Sequence, residues 1–295
     1  ETLHLMRRPC SPLRIPRSML RTRVLTALAL LAALLPALFF LPALAWAWLV
    51  AALSALAGWE WGGFMRLEKS TRIVLGIVFS LICAAAIMLE PAAMGGEGWS
   101  TDAAWQFGRW LYLPSVVFWL GILPFWLWRR WPLPGRLVAL LTGFVVLLPV
   151  LLALVQLRQL GPLTLLCTMA IVWAADVAAY FAGRAFGKSK LAPSISPGKT
   201  WAGAWGAVVG VLTYGFAASP WLPEALQKNL PLFAMCLVGL AILSIVGDLF
   251  ESLLKRQAAL KDSSNILPGH GGIRDRIDSQ TSTLPIVATL WLLPL

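Results

Sequence analysis

Apolar residues fall along this chain in long runs, and the runs have the length that a bilayer demands. A hydrocarbon core about 30 Å thick needs about 20 apolar residues per helix. Nine stretches meet or approach that requirement: residues 24–41, 43–61, 73–89, 111–128, 137–155, 162–182, 200–218, 231–250 and about 275–295. The last is polar in its first turns. The run over residues 24–58 is too long for one helix and is interrupted by Pro36 and Pro42, so it reads as parts of two. The pattern predicts an all-α polytopic integral membrane protein of about nine transmembrane helices, with no soluble domain and no internal repeat.

Three regions follow from this pattern. Residues 1–18 are rich in Arg and Pro without an apolar face and read as a disordered tail or as sequence upstream of a start at Met19. Residues 19–160 hold the N-terminal helices, and residues 161–295 hold a C-terminal transmembrane region with the candidate chemistry. The stretch over residues 90–110, rich in Gly and Trp, reads as an outward loop lying at the membrane interface.

Short cytoplasmic loops carry an excess of Lys and Arg. With nine spans, 21 of the 24 basic residues fall on one side, leaving Arg109, Arg158 and Lys228 on the other. The predicted N-terminus is therefore cytoplasmic.

Composition agrees with the pattern. Of the 295 residues 59% are hydrophobic and 13% charged, and the mean hydropathy is +0.77, whereas a soluble domain has about 25% charged residues. The net charge of +11 suggests a nucleic-acid binder on a soluble chain, but basic stripes with stacking aromatics are absent, so nucleic acid is excluded. Sidedness and an anionic ligand explain the surplus instead. Cys10, Cys83, Cys167 and Cys236 are widely spaced and form no Cys-x-x-Cys pair, and His4 and His270 are the two histidines. A zinc or haem site cannot be built from these, so any metal must sit on carboxylates.

Acids in membrane helices are costly, about 2.5–3.5 kcal/mol at the centre, and mark functional sites by default. Asp176 lies in Trp173-Ala-Ala-Asp176-Val-Ala-Ala-Tyr180, with Tyr180 and Arg184 on the same helical face. Asp248 shares a face with Ser244, Glu251 or Ser252, and Lys255. The loop beyond carries Arg256, Lys261, Asp262, His270, Gly271 and Gly272, then Asp275, Arg276 and Asp278. Asp275 and Asp278 are three apart and share a face if the last helix begins there, and their oxygens suit a hard cation such as Mg²⁺. Acids alternating with bases around a Gly cluster suit a metal-bound polyphosphate. Ser196-Pro-Gly-Lys199-Thr200, at a helix entry, has the small hydroxyls and lysine of an anion site. All of these fall toward the cytoplasmic ends of the predicted spans. The stretch over residues 182–189 fits a loose phosphate-loop pattern but ends a membrane helix instead of following a buried strand, so the match carries no weight. Gly203, Gly206 and Gly210 read as a helix-packing face.

The stretch Ser252-x-Leu-Lys255-Arg256-x-x-x-x-Lys261-Asp262-x-Ser-x-x-Leu-Pro268-x-His270-Gly271-Gly272-Ile-x-Asp275-Arg276-Ile-Asp278 resembles the signature of the phosphatidate cytidylyltransferases, or CDP-diacylglycerol synthases. The resemblance extends to Trp173-Ala-Ala-Asp176-x-Ala-Ala-Tyr180, Ser196-Pro-Gly-Lys199-Thr200, Gly247-Asp248-Leu-x-Glu251-Ser252 and, more weakly, Trp59-Glu60-Trp61. Gln280 departs from the Leu of the family pattern but lies outside the charged core.

The resemblance implies transfer of CMP from CTP to phosphatidic acid, giving CDP-diacylglycerol and pyrophosphate, at the cytoplasmic face of a bacterial inner membrane. It implies Mg²⁺ on Asp248, Asp275 and Asp278, with Asp176 as a further ligand; a second cation such as K⁺ stays open. Lys255, Arg256, Lys261 and Arg276 would bind the triphosphate, with Ser252 and Asp262 beside it. Ser196 and Lys199 would hold a substrate phosphate, and His270, Gly271 and Gly272 would shape the nucleotide pocket. Asp248, Asp275, Asp278 and Lys255 are the expected catalytic set, and a homodimer is the expected assembly. Two alternatives share part of this pattern. A polyprenyl-phosphate sugar-phosphate transferase would use inward acids and Mg²⁺ without this spacing, and an ion-coupled transporter would place its acids near mid-membrane within a repeat.

Overall fold

The computed structural model describes residues 17–91, 93–94, 101–133, 135–219, 229–268 and 271–292. The predicted tail falls almost wholly outside the described residues, and so does His270.

All nine predicted stretches fall on helices. They are α1 (Arg17–Phe40), α2 (Ala43–Phe64), α3 (Lys69–Leu89), and α4 (Thr101–Val116), which runs through a π-helical turn (Val117–Ile122) into α5 (Leu123–Arg129). Then come α6 (Gly135–Gln159), α7 (Pro162–Phe186), α8 (Trp201–Ala218), α9 (Leu230–Gln257) and α10 (Arg274–Leu292). Among the described residues, seven spans are long and apolar enough to cross a membrane: α2, α3, the continuous run Trp105–Arg129, α6, α7, α8 and α9. The chain is thus an α-helical polytopic membrane protein. The apolar stretch of α1, Val24–Phe40, is shorter.

α10 falls short in apolarity because its polar residues face other helices instead of lipid. Ser279, Gln280, Thr281, Ser282 and Thr283 are all buried. Ser282 Oγ donates to the Leu243 carbonyl of α9 at 2.8 Å, and Gln280 Nε2 to the Met169 carbonyl of α7 at 3.1 Å. Such bonds offset the cost of burying polar groups.

Two expectations are corrected. The predicted outward loop is half helix, because α4 begins at Thr101 and buries Trp105. The all-α class holds, but the loop expected between α7 and α8 contains an antiparallel hairpin, β1 (Lys190–Ala192) and β2 (Ser196–Thr200), paired Lys190 to Thr200 and Ala192 to Ser196. Pro193 and Pro197 are poor helix residues, and Pro197 donates nothing to the ladder. The hairpin ends at Thr200, whose Oγ1 accepts from the Gly203 amide at 3.1 Å and caps α8.

The glycine face of α8 is a packing face. An added Cβ on Gly206 would lie 2.3 Å from the Ala182 Cβ of α7, and one on Gly210 2.3 Å from the Ala178 Cβ. The phosphate-loop look-alike at residues 182–189 ends α7, with Gly187 as its cap, and no helix begins there.

Candidate functional site

The site has an open part and a buried part, joined through α9. In the open part, Lys199 reaches from β2 to α9, its Nζ 2.7 Å from Asp248 Oδ2 and donating to the Ile245 carbonyl at 3.3 Å. Ser252, one turn along, donates to Asp248 Oδ1 at 3.2 Å. Asp176 of α7 lies within electrostatic reach of Asp248, Lys199 and Arg276. Asp176, Lys199 and Asp248 line a cavity of about 470 Å³ between α7, α8, α9 and the hairpin. Its other walls are small residues, among them Ala175, Ala179, Gly183, Gly203 and Ala207, with Tyr180 and Arg184 also lining it. Arg184 Nη1 donates to the Tyr180 hydroxyl at 3.3 Å.

In the buried part, Lys255 Nζ lies 2.7 Å from Asp275 Oδ1 and 3.5 Å from Glu251 Oε1. The other oxygen of Asp275 accepts from the amides of Ser263 and Gly272, each at 2.8 Å, and from Ser263 Oγ at 2.9 Å. Glu251 also pairs with Arg274 at 3.1 Å, both side chains almost fully buried. The Arg274 guanidinium stacks over Trp61 at 4.6 Å and Phe64 at 4.8 Å, so its charge meets aromatic faces where hydrogen-bond acceptors are lacking. Asp278 links the two parts: it lies within reach of Glu251, Asp248 and Asp176, and its Oδ1 accepts from the Ser279 amide at 2.7 Å.

The glycines serve this buried part. Gly271 adopts φ +82°, and an added Cβ would stand 2.5 Å from Asp275 Oδ2. On Gly272 it would meet Ser263 Oγ at 2.0 Å and Glu60 Oε1 at 2.2 Å. The close approach that the Gly-Gly pair permits is made here by the protein's own carboxylates.

Asp176, Lys199 and Asp248 thus meet at the cavity with Ser252 bonded to Asp248 behind it, while Lys255, Asp275, Gly271 and Gly272 meet beside it and Asp278 joins them. Arg256, Lys261, Asp262 and Arg276 are exposed around this centre. Ser196 starts β2 opposite Ala192 and does not line the cavity. Sequence reasoning overlooked Glu60 and Glu251 as site residues, and counted Arg274 only as a positive charge. The signal was available, because Glu60 sits inside an apolar run and Glu251 at the end of one, where an acid carries the same kind of cost that singled out Asp176 and Asp248.

The donor set fits a hard cation in part. Among the described residues no three His, Cys, Asp or Glu side chains form a ready cage. Mg²⁺ rarely uses one, since it binds through one or two carboxylates and completes its shell with water and substrate phosphate. The accessible carboxylates of the cavity are Asp176, which is exposed, and Asp248, with its side chain 30% exposed, against 5% for Asp275.

Fold and site together define a multi-pass helical membrane protein whose charged cavity is lined from its C-terminal half. The chain belongs to the cytidylyltransferase family, whose model matches residues 21–293. It is similar to a phosphatidate cytidylyltransferase of Pseudomonas aeruginosa, 37% identical over 281 residues that cover 92% of this chain and 97% of that one. A Haemophilus influenzae protein of the same name is 36% identical over 285 residues, covering 90% and 96%. The resemblance also reaches a chloroplastic phosphatidate cytidylyltransferase 5 of Arabidopsis thaliana, 33% identical over 207 residues, covering 69% and 47%. The family read from the signature is borne out.

Proposed function

We propose that this protein transfers CMP from CTP to phosphatidic acid, releasing pyrophosphate and forming CDP-diacylglycerol. The observation that carries the reading is the match along nearly the whole chain to relatives bearing that activity in their name. The site suits the chemistry. A phosphate monoester has a second pKa of about 6, so the attacking oxygen is largely ionised at neutral pH and needs no strong base. It attacks the α-phosphorus of CTP; a P–O bond to the lipid phosphate forms as the bond to the pyrophosphate breaks. What the protein must supply is alignment of two anions and compensation of charge on the leaving group.

Lys199, in the cavity, holds the lipid phosphate, with Ser196 on the same strand. The small residues along α7 and α8 leave room for the glycerol and the start of the acyl chains, which stay in the bilayer. The exposed Arg256, Lys261 and Arg276 meet the triphosphate, with Ser252, Asp262 and the Gly271–Gly272 backbone beside it. Lys255 joins them from its place against Asp275. Mg²⁺ would be held by Asp248 and Asp278 with Asp176 and Asp275 near, and when bound it would neutralise phosphate charge.

The protein sits in a bacterial inner membrane with nine spans, its N-terminus and site cytoplasmic, and a homodimer is the expected assembly. The test supplies labelled CTP and phosphatidic acid to detergent-solubilised protein with and without Mg²⁺. Mg²⁺-dependent formation of CDP-diacylglycerol and pyrophosphate is expected. Folded protein that makes neither overturns the reading.

A further inference from the structure

Glu60 lies in α2, far in sequence from the loop over residues 258–273 that joins α9 to α10, and its residue exposure is 0%. Its carboxylate nevertheless gathers three donors of its own from that loop and the residue that follows it. Oε1 accepts from Ser264 Oγ at 2.6 Å and from the Ile273 amide at 3.0 Å; Oε2 accepts from the Arg274 amide at 2.8 Å and lies 3.2 Å from Ser263 Oγ, whose one proton it shares with the nearer Asp275. The amides of Ile273 and Arg274 lie at the N-terminus of α10, where backbone donors have no partner within the helix and where the helix dipole favours negative charge. Trp61 holds the other side of the same residue, stacking on the Arg274 guanidinium, and is itself anchored to α6 by a 2.9 Å bond from its Nε1 to the Ala139 carbonyl.

We infer that Glu60 is a positioning residue: it caps α10 from another helix and thereby fixes where Asp275 and Asp278 stand. Asp275 follows Arg274 directly and Asp278 comes three residues later, so any slip of that first turn moves both acids. The same carboxylate packs against the backbone of Gly272, which itself donates to Asp275. The kinetic meaning of this inference rests on the function proposed above; the structural meaning does not.

Glu60→Gln is the sharp test. Whichever way the amide is turned, its NH₂ faces either the Ile273 or the Arg274 amide, so one backbone donor loses its acceptor, while the serine hydroxyls can rotate. Hydrogen exchange is measured by mass spectrometry on intact protein in detergent. In the unaltered protein the amides of Ile273 and Arg274 are expected to be protected although they begin a helix; exchange at the rate of an exposed loop overturns the inference without any variant. In Glu60→Gln, exchange over residues 263–276 is expected to rise at least tenfold with α6 unchanged. Equal protection, or acceleration spread through the whole protein, overturns it. Turnover is expected to fall at least tenfold, and Asp275→Asn added to Glu60→Gln to cost less than it does alone, since both damage one arrangement. Fully multiplicative losses overturn the inference. If unaltered protein makes no CDP-diacylglycerol, the proposed function fails and the exchange measurement still decides the role of Glu60.

Discussion

Neither oxygen of Asp275 is idle: one faces the Lys255 ammonium and the other collects two amides and a hydroxyl. Asp248 is more exposed and faces the cavity with a single lysine and a serine. Substitution by Asn therefore separates the two. Asp275→Asn sets an NH₂ against donors on one side or the other and breaks a buried pair, a loss of about 3–5 kcal/mol, so both thermal stability and turnover should fall. Asp248→Asn should keep the melting temperature within a few degrees and lose turnover by a hundredfold or more. Thermal unfolding in detergent beside the CTP assay distinguishes them, and equal stability of the two variants would contradict the division between scaffold and open site. Arg274→Lys tests the aromatic cage: the ammonium can still reach Glu251 but lacks the planar face that stacks on Trp61 and Phe64, so a loss of about 2 kcal/mol is expected. At this scale the sequence marked the acids through their cost in an apolar run and through the loop spacing. It did not mark Arg274, whose partners come from α2 and α9 and meet it only after folding.

Among elements, the helices were legible because an apolar run of bilayer length has few other solutions. The exceptions share one cause, namely that their stability comes from neighbours. The hairpin is short and gains its place from the cavity it closes, α10 is polar where it touches α7 and α9, and the start of α4 is amphipathic around a buried Trp105. The glycine face on α8 was legible, and it has a functional consequence. α7 carries Asp176, while α8 follows directly from the strand carrying Lys199, so the spacing between the two helices sets the width of the cavity. In Gly206→Leu the Cβ alone would meet Ala182 Cβ at 2.3 Å and the Ala178 carbonyl at 2.9 Å. The helices must part, and turnover by the folded fraction is expected to fall more than tenfold. Gly239→Ala, where an added Cβ meets nothing within 4 Å, is the control and should remain near normal. If Gly206→Leu behaved like Gly239→Ala, the cavity would not depend on this packing.

The whole molecule turns the charge surplus into an orientation. The Arg66 guanidinium donates to the Gln257 carbonyl at the end of α9, and Gln257 Nε2 in turn donates to the Trp131 carbonyl at 2.8 Å. The α2–α3 and α5–α6 connections therefore meet the end of α9 that leads into the loop before α10, and each of these segments is basic. α1 joins them at one end, where Thr26 Oγ1 donates to the Pro268 carbonyl at 3.0 Å. At its other end, Arg158 near the close of α6 donates to the Leu38 carbonyl at 2.8 Å and also to that of Leu41. α1 is thus tied to the loop before α10 at one end and to the close of α6 at the other. Because basic loops are retained in the cytoplasm, the end holding Lys261 should face inward and the α6–α7 turn at Leu160 outward. In protein whose native cysteines are replaced, a membrane-impermeant maleimide should label Leu160→Cys from the outer face of the membrane, and Lys261→Cys only once that membrane is opened. Labelling of Lys261→Cys in intact membranes would invert the topology and place the site on the side where CTP is not made.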